Sequence, residues 1–98
     1  MAVKVFKLIN GEELIAKVTD TNDNGYVLDN PATIVVQQTE KGVGVALAPY
    51  MPYAIGKVQL NRCSISSEGD PETKMENEYS RIFGSGIQLA SAGALAGL

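Results

Sequence analysis

The stretch Phe6-Lys7-Leu8-Ile9-Asn10-Gly11-Glu12-Glu13-Leu14-Ile15-Ala16-Lys17-Val18 decides the fold class. A β-rich run ends at Asn10-Gly11, a pair whose tolerance of positive φ makes it the strongest short hairpin signal, and a second strand over 14–19 leaves it. Backward from the turn, Val3 and Val5 extend the first strand. Forward, Asp20-Thr21-Asn22-Asp23-Asn24-Gly25 is a run of turn formers that stops the second strand, and a third leaves at Tyr26. Proline cannot donate to a ladder, so Asn30-Pro31 interrupts that strand; it resumes at Thr33-Ile34-Val35-Val36-Gln37-Gln38, which predicts a long strand bent in its middle. Glu40-Lys41-Gly42 turns the chain into a fourth strand over 43–47, which Pro49-Tyr50-Met51-Pro52-Tyr53 breaks. Lys57-Val58-Gln59-Leu60 alternates, and 63–66 forms a last short strand. Five or so strands at spacings of roughly 8 to 12 residues predict a small antiparallel barrel or sandwich.

One helix follows. Asp70-Pro71-Glu72 reads as an N-cap acid, a proline at the first helical position and an acid in the first turn. Met75, Tyr79, Ile82 and Phe83 then fall on one apolar stripe, and Gly84 and Gly86 end the helix. The expected division is a β-barrel over 1–69, a helix over 70–86 packed on the barrel or a neighbouring subunit, and a low-complexity tail over 87–98.

A 98-residue chain, 45% hydrophobic and 19% charged, holds one small domain. Such a chain buries about 60 to 70% of its unfolded surface and needs added support. The single cysteine, Cys63, cannot bridge internally, and the absence of histidine removes the commonest zinc ligand and the usual general base. Self-association is the support that remains. The same inventory excludes Ser-His-Asp and Cys-His catalysis, so no enzyme, catalytic residue, metal or cofactor is expected, and Cys63 reads as a small apolar strand residue. Asp20 to Gly25 matches the first half of a calcium loop, but Pro31 stands where the bidentate glutamate belongs and the flanks read as strands.

The net charge of -3 argues against a protein that coats nucleic acid, because that affinity comes from Lys and Arg displacing counterions; any such site must be local. Met1-Ala2-Val3-Lys4-Val5 shows no secretory leader, and the weakly polar run over 87–98 falls short of the roughly 20 residues needed to cross a bilayer. With the lone cysteine, these features lead us to expect a cytoplasmic protein without membrane contact.

Planar and basic side chains at the expected loops are the candidates for function. Tyr26 abuts the long polar turn, Tyr50 and Tyr53 flank Met51-Pro52, and Asn61-Arg62 lies between the last two strands. Tyrosine can stack on a base, asparagine can read a base edge, and arginine can stack or pair with phosphate. Each also has a plainer reading: Tyr50 or Tyr53 fills the barrel's end or a subunit contact, and Arg62 is a solvated charge.

The order of elements resembles the Sm/LSm family, small five-stranded, strongly bent, SH3-like barrels that assemble into rings and bind RNA. The segment from Phe6 to Val18 looks like the first Sm motif, with Gly11 at the hairpin glycine, Leu14 and Val18 at apolar positions, and Ala16 replacing a second glycine. By the same count Asn22 falls at the family's RNA-facing aspartate, and Tyr26 stands where the family has an asparagine. Leu60-Asn61-Arg62-Cys63-Ser64-Ile65 sits where the second motif belongs, with its arginine one place late and its glycine missing. The family's helix precedes the first strand, whereas here it follows the last. Asn77 to Ile87 and the Pro49 to Tyr53 segment are also similar to small proteins of tailed phages infecting marine cyanobacteria.

The resemblance implies a homo-oligomeric ring of about five to seven copies, its edge strands paired between subunits, binding single-stranded RNA or DNA in a phage-infected host's cytoplasm. Asn22, Tyr26, Asn61 and Arg62 are then the candidate nucleic-acid contacts. The competing expectation is a structural or adaptor ring that binds a protein through Tyr50, Met51 and Tyr53.

Overall fold

The computed structural model describes residues 2–83. The expected helix stop at Gly84 and Gly86 and the tail over 87–98 lie outside the described residues. The chain order is β1 (Ala2–Leu8), β2 (Glu13–Asn22), β3 (Gly25–Thr39), β4 (Gly42–Pro49), β5 (Val58–Asn61), a 3-10 turn (Arg62–Ser64), β6 (Ile65–Gly69) and α1 (Thr73–Phe83). All pairings are antiparallel, in the order β4-β3-β2-β1-β6, with β5 also on β3.

The six runs read from the sequence are all strands, where the barrel implied by the resemblance has five. The bent β3 serves two partners on one side: Gly25–Leu28 pairs with β5, whereas the part from Ala32 onward pairs with β4, opposite β2. The proline-rich segment after β4 cuts one lane of the sheet into two strands laid end to end. Asn30, at φ 50, lies at the bend, where the β2 register jumps from Ile15↔Ala32 to Lys17↔Asp29. One extra β3 residue is therefore bulged out beside Pro31.

Two turns differ in detail from expectation. Gly11 alone takes a positive φ, at 93°, and the first connection is a four-residue loop, closed by Leu8 N–H donating to Glu12 O at 2.8 Å. The Asn10 carboxamide oxygen accepts from Glu12 N–H at 2.9 Å, which explains asparagine there without a left-handed backbone. The second strand runs three residues beyond 19, because Asp20, Thr21 and Asn22 find partners in Val27, Tyr26 and Gly25 and only Asp23-Asn24 is left to turn. The helix begins at Thr73 rather than at Pro71, and Glu72 O accepts its first bond from Glu76 N–H at 3.0 Å.

The sheet is rolled. Strands β5 and β6 lie on opposite sides of β3-β2-β1, which in a flat sheet would separate them by about 19 Å. The three-residue 3-10 turn that joins them spans only about 6 Å. Inside the roll, Phe6, Leu8, Leu14, Ala16, Leu28 and Leu60 are buried together, with Val18, Tyr26, Tyr50 and Ile65 packed against them. The period of two puts Val3, Val5 and Ile15 on the other face, where Ile34, Leu47 and Ala32 join Met75, Tyr79 and Phe83 of α1 in a second core. The helix thus covers the outer face of the rolled sheet.

Tyr79 ties that helix to the bend. Its hydroxyl accepts from Lys17 N–H at 3.2 Å and shares its proton between the carbonyls of Asp29 (2.9 Å) and Asn30 (2.8 Å). The bulge leaves these groups out of the regular ladder, and one phenol oxygen satisfies them. Burial pushes the Tyr79 phenol up to about 12.

Candidate nucleic-acid interface

Three of the four expected contacts converge. The β2–β3 hairpin carries Asn22, and the end of β5 carries Asn61 and Arg62; Gly25 pairs with Asn61, and Arg62 N–H donates to Asn24 O at 2.7 Å. Gly25 permits this close approach. Its φ is 147°, and a Cβ there would run into the Leu60 carbonyl oxygen and sit 2.8 Å from Arg62 N.

Asn22 is mostly spent on the turn. Its Oδ1 accepts from Asn24 N–H and Gly25 N–H, both at 2.9 Å, and its Nδ2 donates to Gln59 Oε1 at 2.9 Å. These bonds also account for the calcium-like spacing, since the carboxamide serves the backbone. Gln59 is the residue that sequence reading missed. The alternation of Lys57-Val58-Gln59-Leu60 places it on the opposite face from Val58 and Leu60, and its position across from the hairpin becomes visible only with the β3–β5 register.

Asn61 and Arg62 remain exposed. The Arg62 guanidinium donates to Asn22 O at 3.4 Å. Among the described residues the ion pairs are Lys4–Glu68 and Glu78–Arg81, so Arg62 keeps most of its donors for other partners. Between Glu40 and Glu68 the chain carries Lys41, Lys57 and Arg62 and no carboxylate, whereas Asp20 and Asp23 border the site on its hairpin side. Of these three cations Arg62 alone lies at the site: Lys57 precedes β5, and Lys41 is in the β3–β4 turn at the opposite end of β3.

Tyr26 adjoins the same edge, next to Gly25 and near enough to feel the Arg62 charge, but its own side-chain contacts run to β1 and β6. Its ring packs on Phe6 with centroids 5.2 Å apart and planes at 52°, and its hydroxyl donates to the Glu68 carboxylate at 2.6–2.7 Å. The bonded Glu68 carboxylate holds the phenol above its ordinary range, with desolvation adding to the effect. Tyr26 therefore links β3 to β6 across the roll, with Lys4 3.8 Å from the same carboxylate. The one feature of this arrangement visible in sequence is that Tyr26 begins an apolar alternation with Leu28.

The other candidates divide. Tyr50 is half-buried against the inner core, with its N–H on Pro31 O at 2.9 Å, whereas Met51 and Tyr53 are exposed. Cys63 is exposed in the 3-10 turn rather than a strand residue, because the chain must leave extended geometry to cross from β5 to β6. Among the described residues no three His, Cys, Asp or Glu side chains cluster as metal ligands, and no helix is long and apolar enough to cross a membrane. Comparison of the chain with protein-family models finds no match, and comparison with curated proteins finds none either.

Proposed function

We propose that this protein is a non-catalytic, Sm-like ring subunit that binds single-stranded nucleic acid, RNA or DNA, through the edge bearing Asn61 and Arg62. The observation that carries the reading is the convergence of Asn22, from the β2–β3 hairpin, with Gln59, Asn61 and Arg62, from the end of β5, onto one exposed edge where Arg62 makes no ion pair among the described residues. Bent antiparallel strands, a rolled sheet and a 3-10 turn before the last strand are also what an Sm-like barrel would need.

The roles divide by hydrogen-bonding capacity. Asn61 offers a carboxamide to a base edge, and Arg62 offers a guanidinium to a phosphate or a base face. Asn22 and Gln59 hold the platform. One such edge is weakly charged, but repeating it around a ring multiplies its field and its stacking surface despite the net charge of -3.

Size-exclusion chromatography with light scattering, run with and without short RNA and DNA oligomers, tests both halves. The expected result is an oligomer that binds in a salt-dependent manner, with Arg62→Ala weakening binding and lowering the salt slope by about one for each phosphate that the guanidinium neutralises. A monomer at micromolar concentration removes the ring. A ring without detectable binding at low ionic strength removes the nucleic acid and leaves the adaptor reading, which the exposed Met51 and Tyr53 favour.

A further inference from the structure

Two surfaces play no part in the interface above, and they complement each other. The first is the excursion between β4 and β5. Ala54 N–H donates to Met51 O at 3.1 Å and Gly56 takes a φ of 83°, so the segment is a turned projection rather than an extended linker. At its crest Tyr53 is 97% exposed and Ile55 98%, the most exposed large apolar side chains described. Lys57 is the only charge on it. Two large apolar side chains two residues apart in the chain, each almost wholly in water, mark this segment as a contact surface to account for.

The second surface is an open groove of about 480 Å³ on the outer face. Strand β2 ends its pairing at Leu14↔Thr33, so from Val35 to Val45 the β3–β4 hairpin runs on as two strands without a third. The helix covers Ile34 and Leu47 but not the next pair outward, Val36 and Val45, which are 63% and 50% exposed. These valines form the groove floor with Ile34 and Met75. Around them stand Glu13, Asp70 and Glu72, with Lys7 as the lone cation; Glu68, which also lines the groove, is engaged by Tyr26 and Lys4.

We propose that the projection over 51–57 of one copy seats Tyr53 and Ile55 in this groove of a second copy. Charge complementarity selects the occupant: the apolar knob carries a lysine and no acid, and the apolar groove carries an acidic rim. The copy's own projection leaves β4 beyond Pro49, four residues from Val45 and so about 13 Å along the strand, and it stands free in solvent. Knob and groove are different surfaces, so the contact is head-to-tail and repeats from subunit to subunit until a ring closes. The inference rests on the ring reading above and names what holds the ring together besides edge-strand pairing.

The test compares the full chain with a Tyr53→Ser/Ile55→Ser variant by size-exclusion chromatography with light scattering across a dilution series. Both side chains are almost wholly exposed in the subunit, so circular dichroism should show the fold retained. The expected result is a dissociation midpoint raised by about 100-fold. A parent oligomer that the double variant leaves unchanged overturns the knob-in-groove contact and spares the ring. A parent that is monomeric throughout overturns both. A Tyr53→Cys/Val45→Cys chain in a Cys63→Ser background separates the remaining geometry. Disulfide-linked multimers on oxidation support the contact, and monomers with an internal disulfide overturn it, because the projection would then serve its own groove.

Discussion

Replacing Tyr79 by phenylalanine removes one oxygen and leaves the ring. In the native protein that oxygen serves the Lys17 N–H and the Asp29 and Asn30 carbonyls, at 2.8–3.2 Å, beneath a side chain only 4% exposed. Phenylalanine keeps the apolar packing against Ile15 and Ala32 and strands the backbone groups of the bulge. An unsatisfied buried polar group costs about 1 to 3 kcal/mol, and the two carbonyls share a single proton, so we expect a loss of roughly 2 kcal/mol. For a domain of this size that lowers Tm by roughly 8 to 16 °C. Urea unfolding at pH 7, at one fixed protein concentration so that assembly does not enter the comparison, measures it. A pH series supplies a second check. The Tyr79 phenol is raised from 10.0 to about 12 in the native state, so between those values the unfolded chain releases a proton that the folded chain keeps. The stabilising contribution is whole below pH 10 and is lost as pH climbs towards 12, so the gap between parent and Tyr79→Phe should narrow over that window. A variant within about 0.5 kcal/mol of the parent at pH 7 would refute the claim that this hydroxyl completes the bend.

Gly25→Ala should cost more than about 2 kcal/mol and distort the Asn61–Arg62 edge, because a Cβ there meets the Leu60 carbonyl; thermal unfolding and oligonucleotide titration read the two effects. Leu28→Ala, which empties a fully buried position in the inner core, should lower stability by about 2 to 5 kcal/mol in urea without altering the helix signal of the folded state. Tyr26→Phe should cost roughly 1 kcal/mol through loss of the bond to Glu68, and Tyr26→Leu, which also removes the ring, should leave oligonucleotide affinity within twofold; a large loss of binding in Tyr26→Leu would return Tyr26 to the contact surface.

The strands along the chain are legible because Gly11 and Gly42 accept the positive φ that two of the turns need, and Pro31, which has no N–H to donate, marks the bend within β3. The stripe of Met75, Tyr79 and Phe83 is likewise readable from spacing alone. What is not legible depends on register. Tyr26 reads as a stacking platform because its loop position is visible and its cross-roll partner, Glu68, lies 42 residues away. Gln59 gives no signal for the same reason, since its hydrogen bonds with Asn22 exist only after β5 pairs with β3. The boundary of β2 moves because polar turn formers in sequence acquire ladder partners in space.

The division of β3 between two partners also sets an order of events in folding. Strands β1 to β4 form a run of hairpins whose contacts are local and inexpensive in chain entropy. Strand β6 must return to β1, joining Ser67 to Lys7, and the Tyr79 hydroxyl must find Lys17 across 62 residues. The meander should therefore be established at the rate-limiting barrier, and the arrival of β6 and α1 should follow it. Changes at the β1–β2 loop will then act chiefly on the folding rate, and changes at Tyr79 on the unfolding rate. The hydroxyl that completes the bend is in kinetic terms the latch on the finished fold, and it sets how long the native state persists once formed.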